Sequence, residues 1–132
     1  MTTLEGAVRA ALLAALRADA GPLAGLNRIG EGEGQAAPVP WCRIGEIAGT
    51  SWGAKERPGR EVRATVLIGD RGEAERTAAL AGAVEEAVAV LPRIRSGWET
   101  GGVQIVRTRH VMARDGLRTA QIELRVRGWR AG

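Results

Sequence analysis

Apolar positions recur at helical spacing almost from the first residue. Leu4, Val8, Leu12, Ala15 and Leu16 share one face, Thr2 and Glu5 form a capping-box pattern ahead of them, and Gly21-Pro22 stops the run. The pattern predicts a helix over residues 3–18. Residues 25–40, rich in Gly and Pro with Glu between them, read as an extended surface loop. Residues 41–48 have the mixed apolar composition of a short strand, and 61–69 alternate more clearly, with Val62, Ala64, Val66 and Ile68 on one side. These two segments pair antiparallel across a loop over 49–60 that holds Trp52, Lys55, Arg57 and Pro58-Gly59 and is longer than a hairpin needs. A second helix is predicted over 73–91, its stripe drawn by Thr77, Leu80, Ala81, Val84, Val88 and Leu91 before Pro92, with Glu75, Arg76, Glu85 and Glu86 on the other side. After a loop containing Trp98 and Gly101-Gly102, residues 103–112 and 117–127 form a hairpin through Arg114-Asp115-Gly116.

The register of that hairpin follows from burial cost. A two-residue Asp-Gly turn would set Arg107 and Arg109 against Leu124 and Ile122, placing two guanidinium groups on an apolar face. A three-residue connection with Gly116 left-handed pairs Arg107 with Glu123 instead, and Val106, Thr108, His110 and Met112 then share the face of Ala120, Ile122, Leu124 and Val126. The resulting class is α+β in a single domain over residues 1–132: a four-stranded, mainly antiparallel sheet in the order α-β-β-α-β-β, with both helices packed on one face. The other face keeps Arg107, Glu123, Arg125 and Arg127.

Composition narrows the function classes. The 45% apolar and 26% charged content is that of a globular domain, and apolar runs break before the length a membrane span requires. Glu5 and Arg9 interrupt what would be a signal peptide, and neither end carries a lipid-anchor motif, so no membrane partner is expected. Net charge is +4, yet Lys55 is the only lysine among 19 basic side chains, a bias of GC-rich coding that weakens a nucleic-acid reading. Cys42 is alone, which rules out an internal disulfide and a multi-cysteine metal site; no cofactor is implied. A nucleophilic enzyme would need His110 beside Cys42 or a serine, whereas a strand histidine and a small buried thiol explain both residues. Gly30-Glu31-Gly32-Glu33-Gly34 has the wrong spacing for a phosphate loop, and its carboxylates would repel phosphate. Adjacent on a helix, Glu85 and Glu86 diverge by about 100° and cannot act together as acid and base. Trp41, Trp52, Trp98 and Trp129 fall at strand ends or in loops, where a tryptophan serves either as core anchor or as interface anchor.

Taken in order, these elements resemble the tail completion or tail terminator proteins of long-tailed phages and phage-derived gene transfer agents. The resemblance spans nearly the whole chain. It is carried by the opening Thr3-Leu4-Glu5 helix, Pro38-Val39-Pro40-Trp41 entering the first strand, Trp52, Pro58-Gly59-Arg60-Glu61-Val62 entering the second strand, and the Glu-Ala-rich helix from Ala74 to Leu91. The chain departs from the family pattern at residues 30–35. Membership implies a structural, non-enzymatic protein of a phage or gene-transfer-agent particle, present in the bacterial cytoplasm during assembly and finally at the head–tail junction. It implies a homo-oligomeric ring, usually a hexamer, that ends the tail tube, joins it to the head–tail connector or stopper protein, and lets DNA pass through its lumen without specific binding. A head-to-tail ring needs two dissimilar complementary patches. The expected interface residues are Trp52, Lys55, Glu56 and Arg57 in the 49–60 loop, with Arg107, Arg109, Glu123, Arg125 and Arg127 on the hairpin. A nucleic-acid-binding accessory protein using the arginine face is the alternative, to be recognised by steep salt dependence of DNA binding; a small hydrolase built on His110 comes third.

Overall fold

The computed structural model of the chain describes residues 2–31, 38–91, 93 and 97–131. Pro92, the expected helix stop, and residues 32–35 of the glycine-glutamate stretch lie outside them. The first helix, α1, runs Leu4–Ala18 and is capped one residue later than the Thr2/Glu5 pattern suggests: the Gly6 N–H donates to Thr3 Oγ1 at 3.1 Å. Glu5 is unavailable for a capping box because its carboxylate accepts from Arg60 Nε at 2.7 Å and Nη2 at 3.1 Å. Past the helix, Asp19 Oδ2 accepts from the Leu23 N–H at 2.9 Å and starts a single 3₁₀ turn, Pro22–Gly25, that buries Leu23.

The expected loop over 25–40 contains a strand. β1, Arg28–Glu31, pairs in parallel with β2, Trp41–Gly53. Four residues with a glycine among them carry no readable alternation; the strand is fixed by distant contacts instead. Arg17 donates to the Ile29 carbonyl at 3.1 Å, and Arg9 reaches Glu31 at 3.2 Å. The expected loop over 49–60 is likewise mostly strand, since β2 and β3, Pro58–Asp70, pair antiparallel out to Gly53↔Pro58 and leave only residues 54–57 as the turn. Gly49, Thr50, Ser51, Gly53 and Gly59 hide this extension, because they look like loop residues. Gly59 is there for close approach: a Cβ on it would lie 2.7 Å from the Gly128 carbonyl oxygen and 3.0 Å from the Trp129 ring.

Helix α2, Ala74–Ala89, is followed by three strands, β4 (Trp98–Thr100), β5 (Gln104–Met112) and β6 (Arg118–Arg130). The sheet is therefore six-stranded and mixed rather than four-stranded, ordered β1-β2-β3-β6, with β4 and β5 sharing the far edge of β6. The last hairpin takes the register that separates charge from core: Arg107 stands across from Glu123, the connection is the three residues 114–116, and Gly116 has φ 86°. One part of that expectation fails. A register slip between Ile105 and Arg107 turns Ile105, not Val106, towards Leu124 and leaves Val106 exposed.

The rows across the sheet show how the core is built. Ile47, Ala64, Leu124 and Ile105 form one row on the helix side, Ile44, Val66, Ile122 and Thr108 the next, and Cys42, Ile68, Ala120 and His110 a third. Both helices pack over this face in one apolar cluster with Leu4, Val8, Leu12, Leu16, Leu80, Val84 and Val88. Trp98 joins it, its indole N–H donating to the Thr2 carbonyl at 3.0 Å, so this tryptophan is a core anchor. Thr108 donates to Glu85 Oε1 at 2.6 Å, which ties β5 to α2.

Candidate functional site

On β3 and β6, residues that alternate with the buried ones face away from the helices, and nearly all are polar. Row by row this outer face carries Thr50, Glu61 and Arg127; then Ala48, Arg63, Arg125 and Gln104; then Thr65, Glu123 and Arg107; then Arg43, Leu67, Gln121 and Arg109. Arginines directly opposite one another would repel, and the two glutamates sit one row away to prevent it. Glu61 accepts from Arg127 Nε at 2.9 Å and lies 3.6 Å from Arg63 and 3.7 Å from Arg125. Glu123 lies 3.3 Å from Arg63 and 3.6 Å from Arg107, while Arg125 also hydrogen-bonds Gln104. The Arg127 hydrogen bond holds the Glu61 carboxyl below the usual carboxylate range, and the charges of Arg63 and Arg125 act in the same direction.

One end of this face is aromatic. Trp52 and Trp129 flank Gly59 and meet with ring centroids 5.0 Å apart at 58°. Arg127 lies 4.7 Å over Trp52 and Arg57 lies 4.6 Å over Trp129, with Arg57 also held by Glu99 at 2.7 Å. The result is a ladder of alternating guanidinium and indole groups, none of them fully buried, which favours cation–π contacts. At the opposite end Trp41 covers Gly69, where a Cβ would lie 2.2 Å from the indole ring, and Arg43 lies 5.0 Å over Trp41.

Of the nine expected interface residues, six share this face: Trp52, Arg107, Arg109, Glu123, Arg125 and Arg127. Arg57 reaches it through Trp129, whereas Lys55 and Glu56 stay exposed at the tip of the turn. Trp52 packs onto its own sheet instead of standing free in a long loop. The sequence reading missed Glu61, Arg63 and Glu99, and it left Trp129 between a core and an interface role. Glu61 and Arg63 could have been found from the same alternation that marks Val62 and Ala64; Trp129 could not be placed on this face, because it lies past the expected strand end at Arg127. Cys42 and His110 stand in one row but three strand spacings apart, about 14 Å, too far for a thiol–imidazole pair. Burial pushes the Cys42 thiol up to about 12, which keeps it protonated and unreactive at neutral pH. Among the described residues no group of His, Cys, Asp or Glu could hold a metal ion, and no helix is long and apolar enough to cross a membrane.

A rigid sheet with one face committed to a core and the other presenting oriented guanidinium and indole groups defines a domain suited to docking against other macromolecules. The family described as Tail completion protein gp17 matches residues 10–130, and the chain belongs to that family: it is a structural tail completion protein of a phage or phage-like particle. The fold is similar to a chain in the virion of a native gene transfer agent particle, with TM-score 0.82 and 19% identity over 98% of this chain and 99% of that one. It is also similar to the gp17 protein of bacteriophage SPP1, with TM-score 0.63 and 16% identity over 97% and 91%. No curated protein matches the chain by sequence.

Proposed function

We propose that this protein forms a closed ring, a hexamer, that terminates the tail tube and joins it to the head–tail connector, with DNA passing through the lumen. The reading is supported above all by end-to-end agreement in fold with a chain of an assembled gene transfer agent virion, together with membership of the tail completion family. The two sides of the domain add a physical reason. A ring subunit needs dissimilar patches facing its two neighbours, and here an arginine-indole sheet face lies opposite a helical layer. Trp52, Lys55, Glu56, Arg57, Arg107, Arg109, Glu123, Arg125 and Arg127 supply contacts on the sheet side, the turn residues reaching past its rim. The chemistry is assembly rather than turnover: the salt-bridged rows hold the guanidinium groups of Arg63, Arg125 and Arg127 in place before contact, so little of their side-chain entropy is lost on docking.

A strain lacking the gene tests this reading. Electron micrographs of its lysate are expected to show filled heads and tails that do not join, with joined particles restored by the wild-type gene in trans. Normal joined particles without the protein would remove the tail-terminator function.

A further inference from the structure

The charges on the two sides of the domain do not balance separately, and the imbalance has opposite sign on each. On the outer sheet face Arg43, Arg63, Arg107, Arg109, Arg125 and Arg127 stand against Glu61 and Glu123. The surplus gathers on β5: Arg107 has only the 3.6 Å contact with a Glu123 that it shares with Arg63, and Arg109 has no ion pair or side-chain hydrogen bond among the described residues. On the solvent side of α2 the surplus is acidic. Glu75 and Glu86 are exposed and unpartnered among the described residues, while Arg76, the basic residue of this helix, is drawn to the buried Asp70 at 3.0 Å.

We propose, building on the ring reading, that the sheet face of one copy around Arg107, Arg109 and Val111 receives the solvent side of α2 of the next copy, with Glu75 and Glu86 facing the arginines. Geometry fits this contact. Eleven residues apart, Glu75 and Glu86 lie within about 20° of one line along the helix and about 16 Å from each other. Arg107 and Arg109 stand two residues apart on the outer side of β5, about 7 Å, and their long side chains can splay along the strand to meet both carboxylates. Exposed apolar groups occur on the same two surfaces: Val90 (80% exposed) directly follows α2, and Val111 shares the outer side of β5 with Arg107 and Arg109. The charge pattern also decides the symmetry. Two copies meeting face to face would press arginines against arginines, or carboxylates against carboxylates, so only a head-to-tail contact is favourable.

Reciprocal charge reversal tests the contact in particles made by a deletion strain supplied with each variant. Arg107→Glu with Arg109→Glu, or Glu75→Arg with Glu86→Arg, is expected to lower the yield of joined particles at least about tenfold, because like charges meet at the interface. All four substitutions together are expected to restore it to within about threefold of wild type, since the attraction returns with its sign exchanged. All four positions are exposed, so each purified variant should keep the wild-type unfolding midpoint. Failure of the combined variant to rescue overturns the proposal and assigns the sheet face to another partner, such as DNA phosphate or the connector. Reversals that leave the yield unchanged overturn it as well. Imaging of wild-type particles separates the two levels: a ring of this chain with failed rescue removes the α2 contact alone, whereas no ring removes both.

Discussion

Leu124→Ala is expected to lower the unfolding free energy by about 3–4 kcal/mol and the midpoint of thermal unfolding by roughly 10–15 °C. Leu124 is fully buried at the middle of β6, with Ala64 beside it on β3, Ile105 beside it on β5, and α2 packed over the strand. Its neighbours in the row are the small Ala64 and the edge residue Ile105, and neither can swing in to fill the space. The substitution therefore leaves a cavity in addition to the lost transfer energy. A domain of this size has only about 5–15 kcal/mol in total, so the loss is a large share. Urea or thermal unfolding of the purified protein measures it. A loss under about 1 kcal/mol would mean that the sheet and α2 close over the gap, contrary to the packing described.

Trp52→Ala is expected to act on both stability and assembly. The side chain is half-buried against Trp129 and lies beneath Arg127, so removing it strips a ring contact, a cation–π contact and apolar coverage of the strand ends. Together these are worth about 2 kcal/mol, or roughly 6–8 °C in the unfolding midpoint. Arg127 would still hold Glu61 at 2.9 Å, so the charged rows stay in place while the aromatic end of the face loosens. Joined-particle yield should then fall by more than Leu124→Ala causes at an equal stability loss, because Trp52 belongs to the proposed docking face and Leu124 does not. A yield that follows stability alike for both variants would confine Trp52 to a structural role.

What could be read in the sequence depended on the range of the interactions that fix each element. Both helices were legible because an apolar stripe and its stop signals are local, and the ends of α1 and α2 fall close to the expected ones. The register of the last hairpin was legible too, since only one pairing keeps Arg107 and Arg109 off the core. β1 was not legible: its order comes from parallel pairing with a strand more than ten residues away. Nor was β4, three residues whose strand character depends on Trp98 entering the core below the N-terminus. The turn at 54–57 was overestimated because Gly49, Gly53 and Gly59 serve different needs that composition cannot separate. Gly53 adopts φ 105° at the turn, whereas Gly59 makes room for the Trp129 indole and the Gly128 carbonyl. The arginine face was half legible. Its β5 and β6 members followed from the hairpin register, and Glu61 and Arg63 could be read from the alternation along β3, but that they order the arginines of β6 depends on the pairing of β3 with β6.

A reconstruction of the head–tail junction in intact particles, fine enough to trace individual strands, tests the central claim most directly. The account predicts one closed ring of this chain, a hexamer, between the end of the tail tube and the connector, with the six-stranded sheet of each subunit recognisable in the density. A junction built without this chain, or copies of it spread along the tube with no closed ring at its end, would contradict the account.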